Sequence, residues 1–302
     1  MLKARTELRR LLLVPLLCVS GLALANEEVE SGSPNAFEDG MGRRASLEFS
    51  WEPEAGLDTG GELGFMEVEA ALPVWGGRLS ESWRYGFRLN YKASEFTLPE
   101  IVPIDGDTLH RMDFRAALIW RPENSPWSGF LSGGPALSAD GASMDEDALL
   151  WTAIFGIGYR FSDNFTLLAG GYFSQDFGEP RLIGSPGFIW SPAKQWSASL
   201  IGPRLRIAFA PTDKWRIALE AKPDGGRWSV RTTDDEQAYL DRSTARVGLR
   251  VERRFAENGW LFAGGGWTFS RELRVEDATG QELFDSDVDN GVYFSTGLTW
   301  RF

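Results

Sequence analysis

Apolar and polar residues alternate along most of the chain, and the pattern continues to the last residue. In the final segment, Gly291–Phe302, one face of an extended strand is apolar and carries Val292, Phe294, Leu298, Trp300 and Phe302. Alternation with a period of two residues predicts a β-strand with one apolar face. Chain ends usually fray and are polar, so a strand reaching the last residue is predicted to belong to a sheet.

The same alternation predicts fourteen strands and an all-β fold. The predicted strands are Ala45–Glu52, Glu62–Val74, Glu81–Phe96, Thr108–Arg121, Trp127–Ala139, Ala148–Phe161, Asn164–Gln175, Leu182–Trp190, Gln195–Ile201, Pro203–Ala210, Lys214–Arg231, Ala238–Phe255, Gly259–Val275 and the terminal strand. The ninth and tenth of these are shorter than the ~9–11 residues with which a strand crosses a membrane. Twelve strands are therefore the alternative.

Two kinds of connection separate the predicted strands. Short turns flanked by an aromatic residue occur at Arg121–Trp127, Phe161–Phe165, Ser191–Trp196, Ala210–Trp215 and Phe255–Trp260. Longer acidic connections occur at Pro99–Asp107, Asp140–Asp147, Thr232–Gln237 and Glu276–Asn290. Short turns at one end and long loops at the other are typical of bacterial membrane barrels. Aromatic rings beside the short turns fit the girdle at a membrane–water interface.

The first residues have the features of a secretory signal peptide. Lys3, Arg5, Arg9 and Arg10 precede the apolar stretch Leu11–Val19, and Ala23-Leu24-Ala25 fits a cleavage site. We therefore predict a cleaved signal at residues 1–25, a flexible periplasmic lead-in at 26–43 that could alternatively plug the lumen, and a barrel at 44–302. The single cysteine, Cys18, lies inside the signal, which excludes disulfides from the mature chain.

After residue 25 no apolar run is long enough for a membrane-spanning helix. A membrane protein without such a run must be a closed β-barrel, because only closure satisfies every backbone polar group in lipid. A soluble sandwich also shows alternation, but the signal peptide, the terminal Phe, the aromatic turns and the unbroken run of long strands together favour a barrel. We predict a transmembrane up-and-down antiparallel β-barrel in the outer membrane of a Gram-negative bacterium.

The end of the chain resembles the insertion signal of bacterial outer-membrane barrels, in which a terminal Phe follows apolar residues at alternate positions. The matching residues are Phe294, Leu298, Trp300 and Phe302. The mature chain as a whole resembles a family of outer-membrane β-barrels defined only as a domain of unknown function. This resemblance rests on Tyr159–Phe165, Ile201–Leu205, turns such as Asp213-Lys214-Trp215, and Leu298–Phe302. It implies fold and compartment, and it carries no substrate.

Charged residues recur on the face opposite the apolar one, and we predict that they line the lumen. The predicted lining residues are Arg84, Arg88, Lys92, Arg111, Arg115, Arg204, Arg206, Arg216, Glu220, Arg246, Arg250 and Glu252. Further acids that could face them are Glu48, Glu67, Glu69 and Asp113. One hypothesis is a channel for small solutes or ions with an Arg-rich lumen. The alternative is a non-conducting structural or surface-interaction barrel whose lumen is closed by ion pairs.

The sequence gives little indication of catalysis, metal binding or nucleic-acid binding. The only histidine, His110, falls on the apolar face near the rim without a serine at a catalytic spacing, so no catalytic residue and no enzyme activity are predicted. Asp285–Asp289 begins like a calcium loop but lacks its Gly and Glu, and we expect neither metal nor cofactor. The net charge of −12 argues against nucleic acid. The expected partners are outer-membrane lipid and lipopolysaccharide, the barrel assembly machinery and periplasmic chaperones.

Overall fold

A computed structural model describes residues 44–141, 143, 148–176 and 180–302. The predicted signal peptide and lead-in therefore lie outside the described residues, as do the acids at 145–147. The strands are β1 (Arg44–Gly56), β2 (Glu62–Arg78), β3 (Trp83–Thr97), β4 (Ile104–Asp105), β5 (Thr108–Trp120), β6 (Trp127–Asp140), β7 (Leu149–Ser162), β8 (Phe165–Ser174), β9 (Arg181–Ala193), β10 (Trp196–Ile201), β11 (Arg204–Thr212), β12 (Trp215–Thr232), β13 (Gln237–Arg254), β14 (Gly259–Asp277), β15 (Glu282–Val288) and β16 (Gly291–Arg301).

Fourteen of these strands form a closed antiparallel barrel. Around the wall the order is β1, β2, β3, β5 to β14 and β16, and the terminal strand β16 pairs with β1 to close the ring. The prediction of fourteen strands is confirmed and the alternative of twelve is wrong. The two short strands β10 and β11 both form because Gly202 adopts a φ of 58°, and this lets Ile201 pair directly with Arg204 across a two-residue turn.

The two ends of the barrel differ as the connections predict. The short aromatic turns lie at the end that holds Arg44 and Arg301, which we call the terminal end. Aromatic rings pack against one another there, with centroids 4.9 Å apart for Trp127 and Tyr159 and 4.6 Å apart for Trp196 and Phe209. The longer connections lie at the opposite end, which we call the distal end.

The barrel has apolar side chains outside and charged side chains inside. Large exposed residues include Trp51, Phe114, Leu131, Phe155, Leu167, Ile217, Leu249, Leu261 and Phe294. The intervening positions on the same strands carry buried polar groups such as Glu52, Arg111 and Glu252. This is the reverse of a water-soluble barrel, whose apolar face would be inside. Among the described residues, no helix combines the length and apolarity needed to cross a membrane.

Strands β12 to β14 are longer than their neighbours, and their distal ends leave the wall. Gly225 has a φ of 131°, and a side chain there would meet the carbonyl oxygen of Arg242 at 1.9 Å. The kink turns β12 across the barrel, where Ser229 bridges to Ala139 of β6. The Ser138 hydroxyl donates to the Arg227 carbonyl oxygen at 2.6 Å. We call residues 226–242 and 271–288 the outer flap.

Two short strands complete the flap and correct the sequence interpretation. Glu276–Asn290 was predicted as a loop, but Glu282–Val288 is strand β15 and pairs with β14. Within the predicted loop Pro99–Asp107, strand β4 pairs with the end of β12. Hydrogen bonding to neighbouring strands orders segments whose acidic composition alone indicates a loop.

The outer flap covers the distal end with an apolar core. The buried members of this core are Leu57, Leu63, Phe65, Phe96, Val102, Leu109, Trp228, Val230, Ala238, Leu240, Leu273, Val275, Phe284 and Val288. A register shift near Ser270, which has a φ of 51°, brings Leu273 and Val275 to the inner face of β14. The interior of the barrel is therefore apolar at the distal end, whereas the alternation predicts a charged lining throughout.

Candidate functional site

Beneath the apolar core lies a layer of paired charges, which we call the ion-pair layer. It contains Glu52, Glu67, Lys92, Arg111, Asp113, Asp176, Asp224, Arg242, Arg246 and Arg271. The layer holds equal numbers of carboxylates and cations. Most of these side chains are nearly excluded from solvent, because the flap covers them and the strands on both sides approach closely.

Glu52 is the centre of the ion-pair layer. It lies on β1 and is 1% exposed. Its Oε1 accepts hydrogen bonds from Arg242 at 2.6 Å and Arg246 at 2.5 Å, and its Oε2 accepts one from Arg271 at 3.0 Å. A carboxylate so far from water is tolerable only with such complete pairing. The guanidinium of Arg242 also lies 4.0 Å from the ring centroid of Phe65, joining the layer to the apolar core.

Contacts in this layer reach across the lumen. Lys92 on β3 lies 3.2 Å from Glu67 and 3.9 Å from Asp224 on β12. At least five strands separate β3 from β12 around the wall. Arg111 makes a bidentate pair with Asp113 and reaches Asp176 beyond β8 at 2.6 Å. Ion pairs therefore cross the interior at this level from β3 to β12 and from β5 to the distal end of β8.

Below the ion-pair layer is a group that we call the basic cluster, formed by Arg88, Arg115, Arg204, Lys222 and Glu69. Glu69 interacts electrostatically first with Lys92, its partner across the strands, and then with Lys222, Arg204 and Arg88. Arg88 is in turn repelled by Arg115 and Arg204. These side chains come from five strands on opposite sides of the barrel. Three of the four cations of the cluster thus interact with its single carboxylate, and the fourth, Arg115, lies beside Arg88.

Nearer the terminal end is a second paired layer, which we call the lower layer. It comprises Glu48, Arg206, Arg216, Glu220, Arg250 and Glu252. Arg206 is ion-paired with Glu220 and lies 2.9 Å from Glu252, which also pairs with Arg216 at 3.3 Å. Arg250 pairs with Glu48 at 3.1 Å and stacks over Phe262. Cations and carboxylates are again equal in number.

The sequence-predicted interior residues are distributed over these three groups. Lys92, Arg111 and Arg246 lie in the ion-pair layer; Arg88, Arg115 and Arg204 lie in the basic cluster; Arg206, Arg216, Glu220, Arg250 and Glu252 lie in the lower layer. Arg84 pairs in register with Ile119 nearer the terminal end of β3, outside all three groups. The sequence interpretation missed Glu52, Asp176, Asp224, Arg242 and Arg271.

The exterior residues singled out from the sequence lie on the apolar face. His110 stands on β5, where its Nδ1 is hydrogen bonded to the Tyr91 hydroxyl at 2.9 Å. Phe294, Leu298, Trp300 and Phe302 are between 37% and 51% exposed. Across the part of the chain that the structure describes, no group of His, Cys, Asp or Glu side chains is arranged to hold a metal ion.

The sequence profile of a protein family described as a domain of unknown function, DUF6268, matches residues 112–301. This range includes the turn Tyr159–Phe165 and the segment Ile201–Leu205. The chain belongs to this family. The resemblance inferred from those motifs is therefore confirmed. Because the DUF6268 description names no function, the function has to be inferred from the arrangement of the barrel itself.

Several solved barrels are similar in structure to this DUF6268 chain. An outer membrane channel of the COG4313 group from Pseudomonas putida F1 has a TM-score of 0.47 and 10% identity, covering 92% of this chain and 100% of that one. The KdgM porin in complex with disordered oligogalacturonate has a TM-score of 0.36 and 7% identity, covering 85% and 99%. The Pseudomonas putida toluene transporter TodX has a TM-score of 0.37 and 9% identity, covering 90% and 95%. No curated protein matches the DUF6268 chain.

Proposed function

We propose that the protein is an integral outer-membrane barrel that acts as a channel for small solutes or ions. The observation that carries this proposal is the inverted distribution of its side chains. Large apolar residues cover the outside of a closed barrel, and charged residues occupy its inside. Apolar surface is stable against lipid, whereas exposing so much of it to water is unfavourable.

The ends of the barrel support an orientation in this membrane. The terminal end has the short turns and the aromatic pairs, which suits the periplasmic side of an outer-membrane barrel. In this orientation the outer flap faces the exterior of the cell. We further propose that residues 1–25 are removed on export and that residues 26–43 remain in the periplasm as a lead-in.

Exposure within the interior supports an open path beside the flap. The Arg115 side chain is 37% exposed, and Arg204 at the distal end of β11 is also exposed. The side chains of Arg242, Arg246 and Glu52 in the ion-pair layer are at most 4% exposed. We therefore expect solutes to pass along the shorter strands β7 to β11, where the flap does not reach.

A second candidate function is a non-conducting barrel with a surface role. The observation that favours it is the set of contacts across the interior, in which Lys92 contacts Asp224 from across the lumen and the flap joins β6 at Ser138. If such ion pairs and the flap closed the lumen on every side, the barrel would be rigid and impermeable. The two functions therefore differ in whether the side of β7 to β11 admits solute.

Release from liposomes distinguishes the two functions. Refolded residues 26–302 would be inserted into liposomes loaded with a small fluorescent dye, with heat-modifiable mobility in a gel as the check for a folded barrel. A channel should release the dye within minutes, whereas liposomes with denatured protein should retain it. Retention by a fully folded and inserted barrel would favour the non-conducting function.

The outer flap should respond to pH through Asp241, which lies on its outer face beyond the length of strand that crosses the membrane. Burial raises the pKa of Asp241 to about 7 despite its ion pair with Arg227 at 2.6 Å. The attached flap then keeps a proton that an opened flap has released, so the free energy of opening should fall as pH rises from about 4 to about 7. Hydrogen exchange of Gln237–Asp241 at pH 5 and pH 8 measures this.

Asp241→Asn is the matched variant for this test. It keeps an acceptor for Arg227, which also bonds to Glu276, and it cannot ionise. Exchange in the variant should no longer depend on pH beyond the chemical rate itself. An identical pH dependence in both proteins would rule out Asp241 as the source.

A further inference from the structure

The charges inside the barrel are balanced at two levels and unbalanced between them. The ion-pair layer and the lower layer each contain as many carboxylates as cations. The basic cluster has Arg88, Arg115, Arg204 and Lys222 against one carboxylate of its own, Glu69, and Arg115 and Lys222 also interact with Asp113 and Asp224 of the ion-pair layer. This excess of positive charge occurs in a chain whose net charge is −12. The excess cations of the interior are thus concentrated at one level of the barrel, although the protein as a whole is negatively charged.

The guanidinium groups of the basic cluster have unused hydrogen-bonding capacity. Arg88 donates from Nε to the neutral Asn90 side chain at 2.9 Å, and it shares the Glu69 carboxylate with three other cations. Arg115 lies 3.6 Å from Asp113, a carboxylate already held in a bidentate pair by Arg111. Its buried Nε has no hydrogen-bond partner among the described residues. A guanidinium fork in this state fits a carboxylate or phosphate.

The cluster is arranged around a space and not along one strand. Arg88 and Arg115 are adjacent partners on β3 and β5. Arg204 and Lys222 come from β11 and β12, on the other side of the lumen. An anion between these two pairs would contact cations on both sides. A molecule with two or more anionic groups matches this arrangement better than a single small ion.

We propose that the basic cluster is a binding site for small organic anions that carry more than one carboxylate or phosphate group. The site rests on the proposed channel function for access, since the exposed side chains of Arg115 and Arg204 are reached through the interior. Glu69 neutralises one cation and prevents an excess of charge that would hold the anion too firmly for release. The ion-pair layer and the lower layer contribute little net field, so the cluster sets the selectivity of the path.

Calorimetric titration of citrate and of inorganic phosphate into refolded residues 26–302 in detergent tests this site. We expect saturable binding of citrate at low salt, weakened by added sodium chloride because the charges are partly screened. The double variant Arg115→Gln/Arg204→Gln should bind at least tenfold more weakly, since two charge-assisted contacts are lost. The phosphate titration shows which anionic group the cluster prefers.

The matched control is the double variant Lys194→Gln/Lys214→Gln. It removes the same charge from exposed turns at the terminal end and should leave citrate binding unchanged. An equal loss of citrate affinity in both double variants would show that overall charge causes the effect, and it would contradict the proposed site. Arg204→Gln alone changes only an exposed side chain. It provides a second variant if Arg115→Gln/Arg204→Gln fails the gel-mobility check for folding.

Conduction separates this inference from the channel proposal. In a planar bilayer with a salt gradient, the wild type should show a reversal potential of anion selectivity that moves toward zero in Arg115→Gln/Arg204→Gln. Citrate binding without conduction would support the site and contradict the channel. Conduction with cation selectivity, and without citrate binding, would support the channel and contradict the site.

Discussion

Glu52→Gln should destabilise the barrel by about 3–5 kcal/mol, the cost typical of removing one partner of a buried ion pair. The reason is that Arg242, Arg246 and Arg271 all bond to this one carboxylate, which is 1% exposed. The neutral amide would leave Arg242 and Arg246 with Asp224 as their paired carboxylate, at 3.2 Å and 2.9 Å, and Arg271 with the Asp289 carbonyl oxygen at 2.7 Å. The urea midpoint of unfolding in detergent micelles measures the change.

Glu54→Gln is the control for this substitution. Glu54 lies two positions further along the same strand and is exposed, so its replacement should change stability by no more than about 0.5 kcal/mol. The same midpoint for both variants and the wild type would mean that the ion-pair layer does not hold the flap side of the barrel together.

Trp228→Ala should detach the outer flap while the barrel wall stays intact. Trp228 is the largest fully buried side chain of the distal core and packs against Phe96 with ring centroids 5.9 Å apart. Replacing a buried Trp by Ala typically costs about 3–5 kcal/mol, because a cavity remains. Hydrogen exchange should accelerate in residues 226–242 and 271–288, and it should change little in β7 to β10.

Trp228→Phe distinguishes the contribution of the aromatic ring, which fills the core, from that of the indole N–H. The indole Nε1 of Trp228 is buried and has no hydrogen-bond partner among the described residues, so removing it should cost far less than removing the ring. Slow exchange in Trp228→Phe with fast exchange in Trp228→Ala is expected. Fast exchange throughout the barrel of Trp228→Ala would contradict the separation of flap and wall.

The wall of the barrel follows from local patterns in the sequence. Each wall strand has one apolar and one polar face, and its end is marked by a turn such as Phe161–Phe165 or Ala210–Trp215. Even the short strands β10 and β11 were predicted, because Gly202 and Pro203 mark a turn between two alternating segments. Period and turn chemistry are local, so they can be read without knowing which strands become neighbours.

The outer flap does not follow from the same patterns. At the distal end of β12, Trp228 and Val230 continue the charged face with apolar residues, and their burial depends on partners that are remote in sequence. The register shift near Ser270 moves Arg271 to the interior face, so alternation counted from the middle of β14 assigns it wrongly. A bulge of this kind has no reliable signature in composition.

The interior groups were predicted in part. Arg246, Arg250 and Glu252 follow the alternation of β13, and Arg242 continues it, so it could have been included. Glu52 could likewise have been found, because it shares the face of Glu48 on β1. Contacts across the lumen decide which cations are paired with a carboxylate. The alternation of residues along a strand gives no information about these contacts.

The proposed channel is tested most directly by single-channel recording of the refolded mature protein in a planar bilayer, with a salt gradient to give the reversal potential. We predict steady open steps in the wild type with a reproducible reversal potential, and steps of equal or larger size in Trp228→Ala. A folded, heat-modifiable barrel that gives no steps in either protein would contradict the channel and leave a closed surface barrel as the function.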